Sequence, residues 1–149
     1  MDDRMFRTAM GKFATGVTVI TTEVDGAVFG MTVNAFMSVS LNPRLVAISI
    51  GERAHMLEKI KMSKKYAVNI LFEDQKELSM IFAGQMRDKR EVTFNTLNGF
   101  PVLPGALAQI TCEVVNEHIE GDHTLFIGKV IDIHLEEHEP LLFFNGQYR

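Results

Sequence analysis

Reactive and polar side chains concentrate in four short stretches of this chain. In residues 30–40, GMTVNAFMSVS, Thr32 and Asn34 stand two apart, and Ser38 and Ser40 repeat that spacing beyond Ala35. On a strand, residues two apart share a face, so hydroxyls and an amide would line up as a ladder. A ladder of that kind, flanked by apolar residues, suits a ligand rich in hydrogen-bonding groups. The same spacing describes an amphipathic strand with a solvated face, and spacing alone favours that simpler account. The second stretch holds Ser49, Ile50, Gly51, Arg53, Ala54, His55 and Met56, running from an apolar strand into a helix. A glycine turn at a helix N-terminus offers backbone N–H groups to an anion, and Arg53 and His55 would add charge. A plain tight turn with a solvated arginine accounts for the same residues. In the third, Phe82, Ala83 and Gly84 close a helix with two small side chains, which admits a flat ligand close to the backbone. A glycine C-cap explains them equally well. In the fourth, GDHT (121–124), a turn carries His123 into the start of a strand. A lone turn histidine is more often a surface residue, being intermediate in burial preference.

Other chemistries find no support. The spacing of His134 and His138 suits zinc only on a helix, and residues 130–136 read as a strand. Four residues of strand span roughly 13 Å, too far for one ion held at about 2 Å. The fingerprints of Rossmann dinucleotide sites, P-loops and hydrolase nucleophile elbows are absent from the sequence. Cys112 lies in an apolar stretch with no adjacent cation in sequence, which reads as core packing. It is the sole cysteine, so no intrachain disulfide forms, as suits a reducing cytoplasm. The net charge of −4 argues against a nucleic-acid binder that relies on a basic face. No run approaches the roughly 20 apolar residues of a membrane span. The polar start, Met-Asp-Asp-Arg, does not read as a secretory signal. The expectation is a soluble cytoplasmic protein.

The elements that must position these residues read mainly as β. With 149 residues, 46% hydrophobic and 23% charged, the chain suits one domain over 1–149 with a substantial core. Met5, Phe6, Met10 and Phe13 fall at helical spacing in residues 3–13, with Asp2 or Asp3 as cap. Residues 17–24 and 27–33 read as a hairpin across Asp25-Gly26. Residues 45–50 form an apolar run suited to a buried strand, and 66–71 are strand-like. Helical character marks 54–62 and 74–82. Residues 85–104 lack clean periodicity and read as a long loop with one short helix, functional or in contact with a partner. Residues 107–118 pair with 124–136 across the turn at 120–122, and 141–144 form a last short strand. An antiparallel barrel, closed or partly closed, is the economical architecture for so many strands.

Taken in order, FRTAMGKFATGVTVITT (6–22), GMTVNAFMSVSLNP (30–43), YAVNIL (66–71), FAG (82–84), GDHTLFIG (121–128) and PLLFFNGQY (140–148) carry a family likeness. The chain resembles the flavin reductase-like family, the FMN-binding split barrels that serve as reductase components of two-component monooxygenases. It is similar in particular to those paired with phenol or 4-hydroxyphenylacetate hydroxylases. The resemblance implies an α+β fold dominated by an antiparallel split β-barrel with a few peripheral helices. It implies a homodimer that transfers hydride from NADH, with NADPH as the variant, to FAD or FMN. Reduced flavin would then pass by diffusion to a separate flavin-dependent monooxygenase.

Carried over by motif, Thr32, Asn34, Ala35, Ser38 and Ser40 would line the flavin. Ser49, Ile50, Gly51, Arg53, Ala54, His55 and Met56 would continue the site around phosphate or ribityl chain, and Phe82, Ala83 and Gly84 would close it. His123 would orient the nicotinamide and Tyr148 would help bind it. The sequence departs from the family where Pro43 is followed by Arg44 instead of a second proline, and His55 stands where lysine or threonine would favour phosphate more clearly. The rival reading is a non-enzymatic split barrel that binds flavin or haem.

Overall fold

Residues 1–84 and 92–149 are described by the computed structural model. The first helix, α1 (Asp3–Gly11), starts as expected, with the Asp2 carboxylate accepting the Met5 N–H at 2.8 Å. Its apolar face is another matter. Met5, Phe6, Met10 and the following Phe13 are 56–78% exposed, and no residue of α1 is buried. Helical spacing correctly marked a face, and no part of the described chain covers it.

A two-residue strand, β1 (Thr15–Gly16), leads into β2 (Thr18–Val24) and β3 (Ala27–Val33). The hairpin between them turns at Asp25 and Gly26, both at positive φ, as an Asp-Gly pair favours. β4 (Phe36–Leu41) and β5 (Arg44–Gly51) form a second hairpin, followed by α2 (His55–Ser63) and β6 (Lys65–Ile70). A single 3₁₀ turn (Glu73–Gln75) precedes α3 (Lys76–Phe82), so the helix expected over 74–82 begins late. The 85–104 stretch departs from the expected loop. It contains a small hairpin, β7 (Asn95–Leu97) and β8 (Phe100–Val102), turned at Asn98-Gly99. No helix lies in its described part, and 85–91 fall outside the described residues. The Asn-Gly pair was the missed signal. β9 (Ala108–Glu120) and β10 (His123–Leu135) are the long pair, and β11 (Leu142–Phe144) and β12 (Gln147–Tyr148) end the chain.

Seven strands form one sheet in the order β3-β2-β6-β9-β10-β5-β4, every neighbouring pair antiparallel. Its two edge strands, β3 and β4, follow each other in the chain. At Val33 the backbone still pairs with Thr18 of β2, and at Phe36 it already pairs with Ile48 of β5. Asn34 and Ala35 are the seam, with the Ala35 carbonyl accepting the Ser49 N–H at 3.1 Å. β1, β11 and β12 make a separate three-stranded sheet. This is the mainly β architecture with peripheral helices that the resemblance implied.

The main core lies under α2. Met56, Leu57 and Ile60 pack with Ile20, Ile48, Ile50, Tyr66, Val68, Cys112 and Phe126. Burial pushes the Cys112 thiol up to about 12, so it stays a protonated core residue, as expected. A second cluster of Val17, Val19, Leu71, Leu103 and Leu141 supports Phe82, Phe143 and Tyr148. Buried Asn69 ties these layers together. Its amide donates to the Val19 carbonyl at 2.9 Å, and its oxygen accepts the Leu103 N–H at 2.8 Å. β10 ends at Leu135, so His138 lies beyond the strand. His134 and His138 both reach the Glu136 carboxylate, at 3.3 and 3.2 Å, which holds that carboxyl below its usual range.

Candidate functional site

Three cavities border the seam, and a fourth adjoins one of them. The largest, about 640 Å³, is bounded by Phe13, Thr15, Asn34, Ala35, Phe36 and Ser49 among others. One of about 510 Å³ lies between α1 and the β10 start, with Asn34, His123 and Phe143 in its wall. A narrow one of about 200 Å³ is lined by Thr32, Asn34, Ser79, Ala83, Phe143 and Tyr148. The last, about 310 Å³, lies between Phe29, His55, Met56 and Phe82 to Gly84. Asn34 borders three of these spaces, and Ala83 joins the narrow cavity to the last. Shared wall residues therefore set the four spaces side by side in one grooved region. All but the narrow one fall in the size range of small-molecule sites, and the walls are largely apolar with a few polar groups.

Strand breaks and bulges decide which side chains reach the groove. Thr32 and Asn34 were expected on one strand face. β3 ends at Val33, so Asn34 sits in the seam and not on a ladder with Thr32. Both nevertheless reach the narrow cavity, Thr32 with its hydroxyl donating to the Ser79 carbonyl at 2.6 Å. Ser38 and Ser40 do not reach it. A bulge at Val39 breaks their alternation, pairing Ser38 with Val46 and Ser40 with Leu45, and neither lines any of the four cavities. Ala35 and Ser49 line the largest cavity. The Ile50 side chain is fully buried in the core and offers no side-chain contact to a ligand. Arg53 is exposed and outside the cavities. Ala54, His55, Met56, Phe82, Ala83 and Gly84 surround the 310 Å³ space, although Met56 is also core. Lys59 Nζ lies 4.4 Å above the Phe29 ring at that end. Tyr148 lies on the narrow cavity.

His123 faces the 510 Å³ cavity, and its Nδ1 lies 2.8 Å from Asp122 Oδ1. A carboxylate there accepts a hydrogen bond from Nδ1–H, the tautomer that leaves Nε2 of the neutral ring as an acceptor. Gly51 pairs with His123 across the β5–β10 ladder, and a Cβ there would stand in ordinary contact with the ring, 3.6 Å from Nε2. The hydrogen bond from His123 holds the Asp122 carboxyl below its usual range.

Three residues escaped the sequence reading. Asp122 was present in the motif beside His123 without a role. Ser79 sits one turn before Phe82 and Ala83 on α3, a spacing that carried its signal. Thr15 is the third. Its Oγ1 is buried in the wall of the largest cavity and is the one such side-chain atom, among the described residues, without a hydrogen-bond partner. An orphaned buried hydroxyl costs about 1–3 kcal/mol, which a ligand's polar edge would recover.

Such a curled antiparallel sheet, with an apolar groove rimmed by an amide, hydroxyls and an imidazole, defines a binding domain for flat ligands with polar edges. The donor set fits an isoalloxazine and a nicotinamide, each an apolar face with amide-type edges. Comparison with known proteins makes the class specific. The family model described as flavin reductase like domain matches residues 10–149. An NADH-dependent flavin reductase of a Rhodococcus species is 44% identical over 146 residues, covering 96% of this chain and 83% of that protein. The solved structure of flavin reductase PheA2 in its native state superposes with a TM-score of 0.99 at 69% identity, over 100% of this chain and 97% of its own. A Streptomyces globisporus NADH:FAD oxidoreductase solved with NAD and FAD fragments has a TM-score of 0.91 at 36% identity, over 99% and 92%. The chain belongs to the flavin reductase-like family.

Proposed function

We propose that this protein is an NADH-dependent flavin reductase, using FAD or FMN, that supplies reduced flavin to a separate aromatic-ring monooxygenase. The observation that carries the reading is the position of Asn34. It borders three cavities, which sets the His123 end and the Tyr148 end beside each other, as seating two flat rings together requires. Flavin bound there supplies the hydride acceptor. The protein's work is then orientation, since effective transfer needs reacting atoms about 3–3.5 Å apart. Thr15, Asn34, Ala35 and Ser49 would seat the flavin, and Phe82, Ala83 and Gly84 would bound its far end. His123, held by Asp122, would present Nε2 to the N–H of a carboxamide. Hydride transfer itself needs no side-chain acid or base, so the Asp122–His123 pair is given an orienting role and not proton transfer.

Relatives support the partner. One, from Rhodococcus jostii, is named as the reductase subunit of a flavin-dependent monooxygenase and is 38% identical over 152 residues. The uncovered faces support a homodimer: besides α1, exposed Met37, Val39 and Leu41 of β4 and Ile119, Ile133 and Leu135 of β9 and β10 leave apolar surface for a second copy. Sedimentation should give twice the 16.8 kDa chain mass, and a monomer refutes the dimer. No helix among the described residues is long and apolar enough to cross a membrane, and the single buried cysteine suits a cytoplasmic location.

The test is direct. Protein, NADH and excess FAD or FMN are mixed and the nicotinamide absorbance band is followed, with NADPH as a parallel arm. Turnover far beyond the protein concentration supports a reductase. Flavin binding without turnover supports the non-enzymatic, flavin-binding split barrel instead.

A further inference from the structure

We infer that Ser79 is a positioning residue that fixes the Tyr148 hydroxyl as a donor toward an amide-type carbonyl oxygen in the narrow cavity. The inference rests on the reductase reading for the identity of the ligands, and on proton accounting for the rest. Ser79 is fully buried on α3, and its Oγ lies 2.7 Å from the Tyr148 hydroxyl. Two hydroxyls share that contact, and each carries one proton, so one O–H remains to be placed. Were Tyr148 the donor, the spare proton would sit on a buried serine with no other bonded partner, at the cost of an unsatisfied donor. With Ser79 donating, the spare proton belongs to Tyr148, which is only partly buried and faces the cavity. Burial therefore sets the polarity of the pair.

The neighbours keep that geometry fixed. The Ser79 carbonyl is occupied by the Thr32 hydroxyl at 2.6 Å and the Ala83 N–H at 3.0 Å, which ties α3 to β3. Across the cavity, the Tyr148 ring stands edge-on to Phe143 at 5.2 Å, and Lys76 Nζ lies 5.5 Å from its centroid. The serine–tyrosine bond thus joins α3 to β12 in the wall of the narrow cavity and aims one donor into it. A donor recognises an acceptor, and the amide-type carbonyls available in the proposed reaction belong to the nicotinamide carboxamide and the flavin pyrimidine ring.

The experiment uses full-length wild type, Ser79→Ala, Tyr148→Phe and the double variant, reading KM for NADH, kcat, and the flavin Kd by absorbance titration. Loss of one net hydrogen bond predicts a rise of about 3- to 10-fold in one binding constant, with kcat little changed. A shift in KM for NADH assigns the carboxamide, and a shift in flavin Kd assigns the flavin carbonyl. Either outcome supports the inference if the double variant is no worse than Tyr148→Phe alone. Ser79→Thr, which keeps the hydroxyl, should restore the constant. Ser79→Cys, close in size but a weak donor, should reproduce the defect if the alanine variant does not fold. Folded serine variants with both constants at wild-type values, or effects that simply add, overturn the assignment. Wild-type protein that binds flavin without oxidising NADH overturns the reductase reading instead, while the flavin titration still reads the hydroxyl pair.

Discussion

Replacing Gly30 with alanine tests how the groove's far wall is built. Gly30 pairs with Thr21 in the β2–β3 ladder, and the Phe82 ring lies directly over it. An added methyl would stand 2.6 Å from Phe82 Cε1 and 2.7 Å from Cδ1. Carbon atoms in favourable contact sit about 3.5–4.0 Å apart, so the ring must retreat by about 1 Å. Two effects oppose each other. Gly→Ala at a compatible backbone stabilises by about 0.4–1 kcal/mol through the unfolded chain. Overpacking costs about 1–3 kcal/mol. The second wins because Phe82 is braced by the Val17–Leu71–Leu103 cluster and by Phe94, its ring centroid 6.2 Å away. A net loss of about 1–2 kcal/mol should lower Tm by about 2–8 °C in a thermal melt. Since Phe82 bounds the 310 Å³ cavity, flavin Kd by titration should rise on the order of 10-fold. Phe82→Leu in the same chain should relieve the clash and recover most of both losses. An alanine variant more stable than wild type with unchanged flavin Kd, or one that leucine does not rescue, refutes the steric reasoning.

Further outcomes test the other end and the core. His123→Ala should weaken NADH use about tenfold, through KM or kcat, while flavin binding survives; unchanged NADH kinetics remove His123 from the site. The Asp122 carboxyl is held low chiefly by the bond from His123, so its contribution is complete above the unfolded value near 3.8 and is lost only as pH falls through the lower folded value. A carboxyl NMR titration should place its midpoint below 3.8, and His123→Ala should return it to the ordinary range. Gly128→Ala drives a methyl into the Tyr66 hydroxyl and to 2.8 Å from Cys112 Cβ, both fully buried, so about 3 kcal/mol and roughly 6–12 °C of Tm should be lost. Tyr66→Phe should relieve part of that loss, and a Gly128→Ala variant melting at the wild-type temperature refutes the packing account.

Strand existence was legible where local chemistry and periodicity agree. Asp25-Gly26 specified the first hairpin, and the apolar run at 45–50 specified a strand flanked on both sides. What periodicity missed were features set by pairing partners at a distance. The bulge at Val39 arises from β4 matching β5 and breaks the two-residue alternation of Ser38 and Ser40 that the sequence spacing promised. β1 and β12 are two residues each and exist only because β11 lies between them, so no local window contains their signal. Ile50 and Met56 belong to the matching motif, yet their side chains fill the core. A motif records which residues stay together, not which of them faces a ligand. Ser79 and Asp122 illustrate the converse, polar residues adjacent to recognised positions whose role emerges only when a partner 69 residues away, or a neighbouring imidazole, is placed beside them.

The groove's location follows from how the sheet changes partners. Through Val33 the chain's ladder belongs to β2, and from Phe36 it belongs to β5. A strand cannot satisfy both neighbours within two residues and stay extended between them, so the backbone must leave the ladder at Asn34 and Ala35. An asparagine there keeps two donors and an acceptor available for a ligand where regular pairing stops. Apolar walls come from the same geometry, because the edges of a sheet curled around a core expose its lining at the seam. A reaction that asks for two rings to be stacked, and not for a proton to be moved, is served by such a place. Its determinants are therefore glycine clearances, a strand break and oriented hydroxyls spread along the chain. That dispersal explains why each motif alone resembled ordinary β structure, and why their order along the chain carried the information.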